Sequence, residues 1–389
     1  MTVHDGTRAA PLAATERTPR LLFVGAFPPP GREMHGGNVT DCRVLLASSF
    51  AQRLDLVLVD TTQVSNPPPG VLVRAGLALR RLITFVARFE TSRPDAILLF
   101  VATGASVLEK GLMAWYARLR GVPSLFFPRG GALMDDYRRS ARTRAWVRPM
   151  LDGATRILCQ GEAWQEFVTR DLGRPVADAP IVRNWTASSE LLEIGARRAA
   201  RPAGAPTRLL FVGWLTREKG ILELIDACAR LGPENAFTLD LVGEGALSED
   251  ARRAVREKGL DAVVTFRGWL DPEQLRDVYA AADVLVLPSW VEGLPNVMIE
   301  AMAAGLAVVI TPVGDVPSVI THEVNGLVVP PRDAATLAAT LQRVIGDGAL
   351  RHRLARRGFE DAAARFGVEQ AADRLVDIIE DVRPDRSGG

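Results

Sequence analysis

Leu21–Gly25 reads LLFVG, and the same five residues return at Leu209–Gly213, an offset of 188 positions. A short apolar, β-rich run ending in glycine is the form in which a buried parallel strand opens an α/β domain. Five matching residues alone prove little. Here each copy follows a polar lead-in and precedes a loop and then a helical pattern, and the spacing is that of a domain. The two runs therefore read as the first strands of two similar α/β domains. The length agrees, because 389 residues exceed what one ordinary core holds.

Outward from these openings the pattern alternates. In the first half, strands are expected at 20–25, 54–59, 95–101, 122–127, 155–159 and 180–182. Helices are expected at 38–51, 70–92, 105–119, 139–150 and 161–171. In the second half, strands fall at 208–213, 237–242, 262–266, 283–287, 307–310 and 326–329. Helices fall near 219–231, 248–258, 272–281, 296–304, 315–321 and 333–346. Alternation of this kind implies right-handed crossovers and doubly wound parallel sheets. The expected layout is a disordered tail at 1–19, a first domain at 20–189, a linker at 190–206, a second domain at 207–365, and a last segment at 366–389. That segment carries a helical pattern at 369–382 that has the first domain available to pack on. Open α/β sheets bind ligands at the carboxyl ends of their strands, so two facing domains leave a ligand cleft between them.

Composition sets the outer limits. Hydrophobic residues make up 48% and charged residues 24%, which is ordinary globular usage. The net charge of +1 conceals an asymmetry: residues 1–190 carry 24 Lys and Arg against 17 Asp and Glu, and the rest is acidic. Different partners for the two halves and two plainly solvated faces both fit that asymmetry. The three cysteines, Cys42, Cys159 and Cys228, are widely spaced, and the four histidines form no ligand pattern. A reducing compartment is expected, with neither a disulfide frame nor a metal site. The first 20 residues lack a signal-peptide core, and no 18-residue apolar run suggests a membrane span. The stretch 71–89 is apolar but broken by Arg74, Arg80, Arg81 and Arg88, and reads as amphipathic.

The chemistry-bearing residues lie at the predicted strand ends. VGWLTREKG (212–220) places Trp214, Arg217 and Lys219 after the strand that opens the second domain. Lys219 is one of only three lysines beside 44 arginines. A lysine there suits phosphate, adding a mobile charge to helix-end amides, and an exposed first-turn lysine is the plainer reading. LVGEGA (241–246) ends a strand at Gly243 in a tight turn without a full GxGxxG signature. RGWL (267–270) puts Arg267 at another strand end, where the backbone suits the border of a flat base and a simple loop is an equally good reading. Then comes EGLPNVMIEAMAAG (292–305). Pro295 fits a first helical turn, so amides around Gly293, Leu294 and Asn296 point into the cleft with a positive helix end behind them. Glu292 and Glu300 suit hydroxylated ligands, a sugar and a ribose. Equally, Glu292 suits a helix cap and Glu300 an arginine partner. In the first domain, Gly36 and Gly37 at a helix start let backbone approach a ligand closely, with an ordinary loop as the plainer reading, and His35 beside them is expected on the acceptor side. Arg129, in PRGGALM (128–134), is expected to face the cleft on the acceptor side, where a basic residue suits a diphosphate or an anionic acceptor. Arg138, Arg139, Arg142, Arg144 and Arg148 crowd the helix that follows, consistent with an anionic acceptor, a membrane surface or a solvated face.

The run from Glu292 to Asp333, together with VGWLTREKG, LVGEG and FRGWL in that order, resembles the donor-binding core of retaining glycosyltransferases of the GT-B fold, the family with an E-x7-E motif (glycosyltransferase family 4). The resemblance covers nearly all of 207–335 and is looser in the first half, through the Gly-Gly loop and PRGGALM. It implies two facing Rossmann-like domains, with a nucleotide-diphosphate sugar on the second and the acceptor on the first. Carried over by motif, Lys219 contacts the diphosphate, Glu292 the donor sugar, the amides of Gly293 and Leu294 its surroundings, and Glu300 the ribose. No metal and no cofactor are implied, since the donor is a substrate. Three positions depart from the family pattern. Gly213-Trp214-Leu215 stands where Gly-Arg-Leu is usual, leaving Arg217 or Arg129 to replace the arginine. Arg129 stands where histidine is frequent, and Gly314-Asp315 stands where Gly-Gly is common.

The resemblance implies sugar transfer with retention, either by front-face attack or by double displacement through Glu292. A nucleotide-sugar epimerase of the same fold and a non-catalytic sugar-nucleotide-binding protein are the alternatives. A dehydrogenase is disfavoured by the missing GxGxxG. The expected partners are the nucleotide-sugar donor and a glycan or lipid-linked acceptor in envelope or exopolysaccharide synthesis, with peripheral membrane contact and no nucleic acid. The expected location is the cytoplasm, including the inner face of the cell membrane.

Overall fold

A computed structural model describes residues 17–28, 37–62, 70–102, 104–130, 132–198, 205–231 and 236–383. The described chain forms two parallel sheets. The first contains β1 (Arg20–Gly25), β2 (Asp55–Asp60), β3 (Ala96–Val101), β4 (Ser124–Pro128) and β5 (Arg156–Ile157), in the order β2-β1-β3-β4-β5. The second contains β6 (Thr207–Val212), β7 (Phe237–Val242), β8 (Val264–Gly268), β9 (Val284–Leu287), β10 (Ala307–Ile310) and β11 (Leu327–Val328), in the order β11-β10-β9-β6-β7-β8. Both LLFVG runs are central strands. Chain order reverses between β1 and β3 in one sheet and between β6 and β9 in the other, which marks the switch points where such sheets leave a ligand crevice. The architecture is GT-B: two Rossmann-like domains with their strand ends facing.

The strands read as near-continuous apolar runs because helices cover both faces of each sheet. On one face of the first sheet, Leu22, Val24, Ile97 and Leu99 pack on Phe85, Val107, Met113 and Val147. On the other, Leu21, Phe23, Leu98 and Phe127 pack on Cys42, Leu45, Trp185 and the last helix, Val368–Val382. Leu375, Val376 and Ile379 of that helix are buried in this core, and Arg53 pairs with Asp373 at 2.5 Å. The chain therefore crosses between domains twice. The crossings lie side by side, with the amide of Ala187 donating to the carbonyl of Phe366 at 3.3 Å.

Several local expectations change. The stretch 190–206, read as a linker, begins as a helix, Ser189–Ala196, whose Ser188 side chain accepts from the Leu191 amide. Arg198 then ties it down, donating to the carbonyls of Tyr279 (2.7 Å), Ala282 (2.6 Å) and Ala304 (2.8 Å). These are the ends of two helices, where a cation is stabilised by the helix dipoles. The expected helix 139–150 is two, Ala132–Arg139 and Ala141–Asp152, broken at Ser140, which is extended and caps the second. The expected helix 315–321 is one turn, Val316–Ser318. Gly348–Arg365 is a long helix that the alternation did not show.

Candidate active site

The switch point between β6 and β9 gathers the key side chains. After β6, a single turn, Arg217–Lys219, ends at Gly220, which adopts φ +68° and starts the helix Ile221–Ala229. A Cβ there would sit 2.2 Å from the carbonyl oxygen of Pro288, so only glycine lets this turn lie against the end of β9. The amide of Trp290 donates to the carbonyl of Glu218 at 2.7 Å, fastening the two loops together. Lys219 thereby meets Glu292: Nζ lies 2.5 Å from Oε1, with the carboxylate side chain nearly buried and the lysine partly so. An ammonium has three protons to donate, so this contact holds Lys219 at the crevice and leaves it capacity for phosphate oxygens. Neither a capping role for Glu292 nor a solvated Lys219 matches this arrangement.

Glu292 leads into Pro295, which precedes the helix Asn296–Ala303. Among the described residues no acceptor takes the amides of Gly293 or Leu294. Their carbonyls are used from behind: Gly293 accepts from the Asp315 amide at 2.8 Å and Leu294 from Asn184 Nδ2 at 2.8 Å. The loop is thus pinned by its acceptors and presents its donors, beside a positive helix end. One turn into the helix, Glu300 is buried and its Oε2 accepts from the Tyr279 hydroxyl at 2.7 Å. Burial pushes the Glu300 carboxyl up to about 7, Tyr279 pulls it back, and the Asp41 charge adds to the rise. Among the described residues tyrosine, not arginine, meets Glu300.

Other expected residues take different places. Arg129 does not face an open cleft. Its side chain is 2% exposed, lies 2.5 Å from Asp41 Oδ2, and packs its guanidinium on Phe100, Phe127 and Trp185. Asp41 also accepts from Asn296 Nδ2 at 2.7 Å, and Asn184 Nδ2 donates to Asn296 Oδ1 at 2.7 Å. This buried chain joins the domains; burial raises the Asp41 carboxyl while Arg129 and Asn296 oppose the rise. Arg267, next to last in β8 at a register shift against β7, is drawn into a cross-strand pair with Asp240 at 2.9 Å. Gly243, at φ +124°, lies where a Cβ would strike the Gly213 carbonyl at 2.0 Å, so its glycine is required by the crossing of backbones. Trp214 sits edge-on to Trp269 at 4.5 Å, and Arg217 lies 5.5 Å from the Trp290 ring. Gly37 begins the helix Gly37–Leu46 and lies beside Asn296. His35 and Gly36 fall outside the described residues. Of the arginines at 138–148, Arg138 pairs with Asp171 at 2.8 Å, and Arg144 and Arg148 donate to backbone carbonyls.

Sequence reasoning missed Tyr279, Asp41, Asn184 and Asp315. Asp315 reaches across the domains to accept from the Ala163 amide at 3.1 Å, and burial raises its carboxyl to about 6. Its departure from Gly-Gly was the available signal. Tyr279 is one of only three tyrosines, but nothing nearby in sequence links it to Glu300.

The fold is that of a GT-B protein, with this crevice on the second domain. A family model described as "Glycosyl transferases group 1" matches residues 206–347, the domain that holds this crevice. The chain is 28% identical over 346 residues to the lipopolysaccharide core biosynthesis glycosyltransferase LpsE of Rhizobium meliloti, covering 85% of this chain and 95% of that one. With several other curated glycosyltransferases it spans about half of their length. Among solved structures, sucrose-phosphate synthase from Thermosynechococcus elongatus matches with TM-score 0.76 and 23% identity, over 94% of this chain and 99% of that one. Anabaena HepE in complex with UDP-glucose matches with TM-score 0.69 and 18% identity, over 93% and 100%.

Proposed function

We propose that the protein is a retaining, metal-independent glycosyltransferase that moves a sugar from a nucleotide-diphosphate sugar to a glycan or lipid-linked acceptor in envelope or exopolysaccharide synthesis. The observation that carries the reading is the Lys219–Glu292 pair beside the amides of Gly293 and Leu294, which meet no acceptor among the described residues, with Glu300 one helical turn further on. A nucleotide-diphosphate sugar has hydroxyls at both ends and negative charge between them, and this crevice presents acceptors at two points with donors between. The match of a UDP-glucose-bound HepE structure and the kinship with LpsE support the donor and acceptor classes.

In the reaction the anomeric carbon–oxygen bond to the diphosphate breaks and the leaving oxygen takes the electron pair. Lys219 and the loop amides are placed to stabilise that growing charge, and binding that tightens in the transition state lowers the barrier. The acceptor hydroxyl attacks on the same face, and its proton passes to the departing phosphate. Glu292 orients the sugar and Lys219 and forms no bond to carbon. Incubating the protein with donor and acceptor, and reading the anomeric configuration of the product, tests transfer and retention together. Epimerised donor without acceptor, or a covalent sugar trapped on Glu292, would contradict the reading.

A further inference from the structure

One face of the first domain is covered by three helices, Val71–Ser92, Ala105–Leu119 and Ala141–Asp152. Their inner sides supply Phe85, Phe89, Met113 and Val147 to the core. Their outer sides carry nine of the thirteen large hydrophobic residues that stand exposed among the described residues. Leu72 is 88% exposed, and Leu79, Ile83, Leu108, Leu112 and Leu119 stand open with it. On the first two helices these leucines and isoleucine recur at spacings near multiples of a turn, so they form stripes. Scattered apolar residues on a surface are ordinary, but a cluster on one helical layer marks an interaction face.

The same helices hold nine Arg or Lys against three Asp or Glu. Two of those acids are already matched, Glu109 by Arg81 at 2.7 Å and Glu90 by Arg120 at 2.5 Å. Arg74, Arg80, Arg88 and Arg142 are exposed. A second copy docking here through a two-fold axis would set like charges against each other. An anionic bilayer meets both features, since apolar side chains enter the headgroup boundary while guanidinium groups hold lipid phosphates. None of the described helices is long and apolar enough to cross a membrane, so the contact is with its surface.

We propose that this helical face docks the protein on anionic membrane lipid. The helix Ala105–Leu119 follows the carboxyl end of β3, so its first turn, with Leu108, lies on the cleft side of the sheet. A lipid-borne acceptor at the surface then has a short path to the crevice. The docking face itself stands whether or not sugar transfer is the activity.

The test is flotation of the full chain with vesicles of phosphatidylcholine alone and of phosphatidylcholine mixed with phosphatidylglycerol, without donor. The chain floats with the mixed vesicles, weakly with the neutral ones, and less as salt rises. The double variant Leu79→Glu/Ile83→Glu binds at least about tenfold more weakly, since two apolar contacts are lost and two negative charges are set against anionic lipid. Its melting temperature and donor binding stay unchanged, which separates this proposal from the transferase reading. No flotation, equal flotation of the variant, or a dimer in sedimentation that the same substitutions dissolve would overturn it.

Discussion

Lys219 and Glu300 carry the account at the scale of single residues. Lys219→Ala removes one preorganised charge from the developing leaving group, and turnover is expected to fall by roughly 10²-fold or more. Steady-state transfer kinetics check this, and unchanged turnover removes the role from Lys219. Glu300 titrates near neutrality because it is buried. A ribose diol donates to the carboxylate form, so donor affinity should weaken as pH falls below about 7, by up to about tenfold per unit. Glu300→Gln should flatten that profile. The same group shapes stability with the opposite sense. Its folded pKa, about 7, exceeds the ordinary 4.5, so the folded state holds the proton more tightly between those values. Stability is therefore lost as pH rises through this window, on the order of 3 kcal/mol from this residue. Denaturant unfolding of the wild type and Glu300→Gln at several pH values isolates it: the difference between them should grow from pH 5 to pH 8. Residue type was legible here, because a carboxylate and a lone lysine at strand ends are visible in any reading. Partners were not. Asp41 and Arg129 are 88 positions apart, and nothing local says that an arginine after a strand is already neutralised.

At the scale of elements, short buried strands announce themselves. All six strands expected in the second half lie within two residues of those observed at both ends because parallel strands between helical layers are uninterrupted apolar runs. The helix Gly348–Arg365 hid because its arginine-rich outer face masks a thin buried stripe of Leu350, Leu354, Ala355, Gly358 and Ala362. The helix Ser189–Ala196 hid beside Arg-, Ala- and Pro-rich text that resembles a linker. Arg198 shows what such composition concealed, a side chain that closes two helix ends. Arg198→Ala leaves three partly buried carbonyls without this donor and should cost about 2–3 kcal/mol by denaturant unfolding. A change below about 0.5 kcal/mol would mean that water replaces the guanidinium fully.

For the whole molecule, the crevice depends on how the two domains are held. Asp41–Asn296, Asn184–Leu294 and Asp315–Ala163 cross between them, and the last helix belongs to the first domain's core. Asp41→Ala strands the buried charge of Arg129 and should destabilise the fold by about 3–5 kcal/mol. An acceptor-binding Arg129 with no structural part predicts lost activity at unchanged stability instead. Two tandem Rossmann-like domains were legible from the repeated LLFVG; the cross-domain bonds were not, since they join residues more than 100 positions apart. The most direct test of the central claim is titration calorimetry of UDP-, GDP- and ADP-sugars into the wild type, Lys219→Ala and Glu300→Gln. The account predicts that one nucleotide class binds the wild type and that each substitution weakens it by about tenfold or more. Binding of none of the three, or equal binding by all three proteins, would contradict it.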